Sequence, residues 1–85
     1  MNTTTDTASR AAALFVSTVS MFDRLTEAQV RIAIDEALWM RGGGQGCAAE
    51  VAQAYGDHPE TAAPRMRWAR RVVEQLDAPA LALAA

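Results

Sequence analysis

The chain has 85 residues, 51% of them hydrophobic, a formal net charge of −2 and one cysteine. That length and apolar content fit one small domain with a core and exclude a disordered polypeptide. The charge excludes a generic polyanion binder, and the lone Cys47 excludes an internal disulfide and a paired-cysteine metal site, making a reducing, cytoplasmic setting the expectation.

Residues 1–5 are polar and predicted to fray. A first helix is predicted from about Asp6 to Phe22, with Ala12, Phe15, Val19 and Phe22 on one stripe at helical spacing. Leu14 and Met21 fall on another side, so this helix is expected to be covered twice. Its apolar part, Ala11 to Phe22, is too short to cross a bilayer and is followed by no convincing cleavage site. It is read as a core or interface helix, with no membrane partner.

The second helix has a clear start. Thr26-Glu27-Ala28-Gln29 fits a capping box, in which the threonine hydroxyl accepts from the third backbone N–H and the glutamine reaches back. Val30, Ile34, Ala37 and Leu38 make its main stripe, while Ile32 and Trp39 lie roughly opposite on one line. A second apolar line asks for a second partner surface. Ile32, Trp39, Leu14 and Met21 are therefore the candidate interface residues, and a homodimer is the expected assembly. The helix stops at Arg41, before Gly42-Gly43-Gly44-Gln45-Gly46. That run follows a helix and no Lys-Ser/Thr pair follows it, so it reads as a flexible connector and not a nucleotide-binding loop.

A short third helix is predicted from Cys47 to Tyr55, with Gly56 as its stop. The fourth is predicted from Thr61 to Asp77, with Thr61 as N-cap and Pro64 in the first turn, where its missing N–H costs nothing. Ala62, Met66, Ala69, Val73 and Leu76 form its buried stripe. The fold class is thus all-α: one domain of four helices, with an N-terminal helical pair over 6–41, a helix-turn-helix layout over 47–77 and an apolar tail over 78–85.

Charge is unevenly placed. Asp6, Asp23, Glu27, Asp35, Glu36 and Glu50 lie in the first 50 residues, whereas Arg65, Arg67, Arg70 and Arg71 crowd into seven. A local basic face serves DNA binding even in an acidic protein. The absence of lysine is also what GC-rich coding produces, so an ordinary solvated helix face stays open as the other reading. For the paired helices, Ala52 supplies the small residue at the crossing, Gly56 the turn residue tolerant of positive φ, and Val51 and Tyr55 the flanking apolar groups. With Met66 at the buried centre, Arg67, Trp68 and Arg71 fall on the outer half of the last helix, with Thr61 and Arg65 at its edge.

The run Glu50-Val51-Ala52, Ala54-Tyr55-Gly56, Pro59-Glu60, Thr61, Arg65-Met66 and Ala69-Arg70-Arg71 resembles helix-turn-helix DNA-binding domains. The likeness is to the promoter-reading region of bacterial sigma factors and to winged-helix regulators, and it covers about residues 48–71, without a clear wing. It implies a small bacterial or phage transcriptional regulator that docks its fourth helix in a groove of double-stranded DNA. Thr61, Arg65, Arg67, Trp68 and Arg71 would then be the DNA-binding residues. Arg65 and Arg67 would meet guanine edges or phosphates, and Arg71 a phosphate. The alternative is a helical adaptor or inhibitor that grips a host regulatory protein through Trp68, Trp39 and apolar surface. Trp68 points away from the buried stripe, and either an external partner or the first helix can cover it.

No carboxylate pair, metal cluster or catalytic triad stands out, so a non-enzyme without cofactor or metal is expected. Cys47 opens a helix, where backbone N–H groups favour a thiolate, but no His or second Cys is close in sequence. His58 is read as a solvated turn residue. The ending Leu81-Ala82-Leu83-Ala84-Ala85 resembles tags that deliver bacterial proteins to ClpXP-type proteases, with Ala84 and Ala85 as the residues engaged; an alanine-rich chain also ends this way by chance.

Overall fold

The computed structural model describes residues 3–78. Four helices, α1 (Thr3–Val16), α2 (Glu27–Arg41), α3 (Gly43–Asp57) and α4 (Pro59–Asp77), make up an all-α domain, and no strand occurs among the described residues. The tail over 79–85, with Ala84 and Ala85, lies outside the described residues.

Helix α1 is the hub. It packs against each of the other three, while α2 and α4 barely meet. Five consecutive residues, Ala11 to Phe15, are buried, which a helix achieves only when it is covered on all sides. Leu14 is fully buried among the chain's own helices and so supplies no outer interface, whereas Met21 is partly buried and packs against the same core. The helix also ends six residues before the predicted Phe22 and begins three before Asp6. The physical reason for the early end is the run Val16-Ser17-Thr18-Val19-Ser20, whose β-branched and hydroxyl side chains favour non-helical backbone. Ser17 Oγ donates to the Leu14 carbonyl at 2.6 Å, and Ser20 Oγ accepts from the Phe22 N–H at 3.1 Å. Phe22, expected on the stripe, is 87% exposed.

Helix α2 follows its sequence signals at both ends. Thr26 Oγ1 accepts from the Gln29 N–H at 3.1 Å, and Gln29 Oε1 accepts from the Thr26 N–H at 2.8 Å. Gly42 closes the helix in the left-handed region (φ 79°) and donates its N–H to the Leu38 carbonyl. Val30, Ala33, Ile34 and Ala37 are its buried face.

The glycine run is not a flexible connector. Helix α3 starts at Gly43, directly after Gly42, and absorbs the remaining glycines. A Cβ on Gly46 would lie 1.5 Å from the Arg41 carbonyl oxygen, so glycine is needed there for α3 to cross the end of α2. Helix α3 also runs past Gly56, which is helical and lacks positive φ, to Asp57. Ala52, the expected crossing residue, is exposed; Cys47 is the buried residue of α3, with Val51 and Ala54 packed beside it.

Only His58 separates α3 from α4. Its N–H donates to the Ala54 carbonyl at 2.7 Å, and its carbonyl accepts from the N–H groups of Thr61 and Ala62. Helix α4 therefore begins at Pro59, with Thr61 inside the first turn and not at the N-cap. Pro64 falls within the helix, where its ring removes one backbone donor. The core of the domain is alanine-rich and is filled out by Leu14, Phe15, Ile34, Trp68 and Val73. Among the described residues, ion pairs link helices across the surface at Arg10–Asp77, between α1 and α4, and at Arg41–Glu50, between α2 and α3. Such partly exposed pairs contribute little individually.

Candidate interaction surfaces

The arginine cluster on α4 splits into two roles. Arg65 turns inward and closes the end of α1. Its Nε donates to the Phe15 carbonyl at 2.6 Å, and its Nη2 donates to the carbonyls of Leu14 (3.4 Å), Ser17 (3.1 Å) and Val19 (2.9 Å). The last carbonyls of a helix lack partners within it and carry the negative end of its dipole, so a cation that donates to several of them suits the position. The guanidinium also stacks 4.9 Å from the Trp68 ring and 5.9 Å from Phe15. Burial pulls it below its usual pKa range, and it remains charged at neutral pH.

This corrects two expected DNA-binding residues. Arg65 is committed to four backbone carbonyls, and Trp68 is only 8% exposed, in the core under that guanidinium. Thr61 stays exposed but gives its hydroxyl to the His58 carbonyl at 3.2 Å. Arg67 and Arg71 remain exposed, with Arg70 beside them, and none of the three joins an ion pair among the described residues. Spaced three and four apart, they share one helix face, which also carries Glu60 and Glu74.

The other surface is the outer side of α2. Trp39 is 86% exposed, Met40 74% and Ile32 58%, on a helix whose opposite side is in the core. Of the four residues expected at an interface, the structure leaves Ile32 and Trp39 outside, takes Leu14 inside and half-buries Met21 at the edge of the core. An open groove of about 380 Å³ runs along one flank of α2, with Val19, Leu25, Ile32, Glu36 and Met40 in its walls. On the other flank Arg31 and Asp35 are exposed, and Arg31 makes a long 3.5 Å pair with Glu27. Sequence reasoning missed Met40 as a surface residue. Its signal was position: just before the glycine stop, one place off the buried stripe.

Cys47 is no activated thiol. It is fully buried, one turn inside α3 and not at its N-terminus, and its Sγ donates to the Ala37 carbonyl at 3.7 Å. Burial pushes the thiol up, the nearby Glu50 carboxylate adds to the rise, and Arg41 opposes it. Among the described residues no group of three or more His, Cys, Asp or Glu side chains is placed to hold a metal ion, and no helix is long and apolar enough to cross a membrane. Compared with known proteins, the chain matches no family model, no curated protein and no solved structure.

Proposed function

We propose that this protein is a non-enzymatic helical docking module that works in the cytoplasm by presenting the outer side of α2 to a partner helix with an apolar seam. The observation that carries the reading is Trp39, 86% exposed beside the exposed Ile32 and Met40. A tryptophan buries a large area on binding and is enriched among residues that dominate interface energy. The free, unpaired Cys47 fits a reducing compartment. The test is a photo-reactive benzoylphenylalanine placed at position 39 in the producing cells, with the exposed Gln53 on α3 as control site. One discrete adduct from position 39, absent from position 53 and lost on Ile32→Asp, is the expected result. No adduct, or equal adducts from both positions, overturns the reading.

The unpaired face of Arg67, Arg70 and Arg71 favours a second reading, DNA binding by α4 as in a transcriptional regulator. With Arg65 and Trp68 engaged in the fold, the remaining arginines suit phosphate contacts better than base reading. Anisotropy of labelled duplex DNA, titrated at low and moderate salt, tests it. Steeply salt-dependent binding that is lost in the Arg67→Ala, Arg71→Ala double variant supports this reading, and no binding at low salt removes it.

A further inference from the structure

We infer that the partner on the outer side of α2 is a second copy of this chain, docked antiparallel about a two-fold axis; the inference rests on the docking reading above. Ala28, Ile32, Asp35 and Trp39 follow one another at spacings of four, three and four, the seam pattern of helices that pack at a shallow angle, and all four are exposed. Along the 15-residue helix the seam reads small, apolar, acidic, aromatic. Turned end for end on itself it is complementary. Trp39 of each copy covers the partner's Ala28, the largest side chain over the smallest, and Ile32 lies level with the partner's Asp35.

Charge selects the same arrangement. Arg31 lies beside the seam on the flank toward which Asp35 also leans. A two-fold axis that reverses helix direction keeps matching flanks together, so each Arg31 comes alongside the partner's Asp35. The carboxylate that enters the seam thereby gains a charge-assisted partner, and Arg31 gives up only its long, exposed 3.5 Å pair with Glu27. A parallel two-fold arrangement instead sets Asp35 against the partner's Asp35 in the seam and carries the two Arg31 side chains to opposite flanks, so the paired carboxylates repel each other. The antiparallel contact is isologous and closes at two copies.

The experiment is sedimentation equilibrium on the purified full chain from low to high micromolar concentration. The mass is expected to double for the native sequence. Trp39→Ala, Arg31→Asp and Asp35→Arg are each expected to sediment at monomer mass with unchanged far-ultraviolet circular dichroism. The double exchange Arg31→Asp with Asp35→Arg is expected to restore the doubled mass, because each new aspartate then faces a new arginine across the two-fold axis. A native monomer at every concentration overturns self-docking, while a discrete adduct from position 39 to another protein would leave the docking reading standing. A dimer indifferent to Trp39→Ala places the contact elsewhere and overturns both the face and its occupant. Single charge reversals that leave the dimer intact, or a double exchange that fails to restore it, overturn the antiparallel register.

Discussion

The two tryptophans lie on helices that pack against the same central helix, and their surroundings are opposite. Trp68 is 8% exposed and Trp39 is 86% exposed. Each falls off the main apolar stripe of its helix. The difference is made by what lies next to them. Helix α1 ends near α4 with several carbonyls to satisfy, and Arg65, three residues before Trp68, reaches them and draws the indole beneath its guanidinium. Helix α2 meets α1 and α3 through its other side, and no described part of the chain crosses over Trp39. An aromatic off the stripe is therefore buried or exposed according to whether a neighbouring helix end needs covering, and the helix that bears it does not decide.

The largest expected effect separates the two sites directly. Trp68→Ala should destabilise the fold by about 3–5 kcal/mol, the usual range for emptying a buried large aromatic. Urea unfolding followed by circular dichroism checks this, and a loss below about 1 kcal/mol would contradict the burial of Trp68. Arg65→Ala comes next. It removes charge-assisted bonds to a helix end at a half-buried site, and about 2–3 kcal/mol is expected from bonds of this kind. Arg65→Lys should recover only part of that loss, because an ammonium cannot spread donors over several carbonyls or stack on the indole as a planar guanidinium does. Full recovery with lysine would reduce Arg65 to a point charge and break the account of why Trp68 is covered.

The boundaries of α2 were legible because both its signals are local: Thr26 and Gln29 cap each other, and Gly42 stops the chain from continuing. The all-helical class and the buried stripe of Ala62, Ala69 and Val73 were legible from spacing. The end of α1 was harder, since its carbonyls are satisfied by a residue some fifty positions away. The Ser-Thr-Val run from Val16 was the one local hint. The glycine run misled for a related reason. Glycines mark loops when positive φ is needed, which holds at Gly42, but at Gly46 glycine serves close approach within a helix. At the candidate surfaces, the exposure of Ile32 and Trp39 was legible because both lie off the buried stripe of α2. Arg65 and Trp68 were misplaced because their partners belong to another helix.

Cys47 offers a smaller, pH-dependent test of the packing between α2 and α3. Its pKa in the fold is raised, chiefly by burial. The unfolded chain releases that proton at a lower pH than the folded one does. Stability from this group is therefore fully present below the ordinary thiol value of 9.0 and is lost as pH rises toward the folded value. The urea midpoint of the native protein should fall as pH is taken through that window. Cys47→Ala should show a shallower fall from its own lower starting point. Parallel curves for the two proteins would mean that the thiol is not desolvated, and that α3 does not press Cys47 onto the Ala37 carbonyl.

The smallest expected effect is the one that isolates the outer face. In dilute solution Trp39→Ala should change stability by no more than about 0.5 kcal/mol, since it removes a side chain that the single chain leaves in water. At high concentration the two proteins should diverge. Association of folded chains stabilises the native sequence by mass action, so its melting midpoint should climb with concentration. The Trp39→Ala midpoint should stay flat over the same range. A large loss for Trp39→Ala in dilute solution would place Trp39 in the fold alongside Trp68 and erase the contrast between them. A rising midpoint in both proteins would move the association to another surface. Only a flat variant beside a rising native protein assigns Trp39 to the partner and Trp68 to the core.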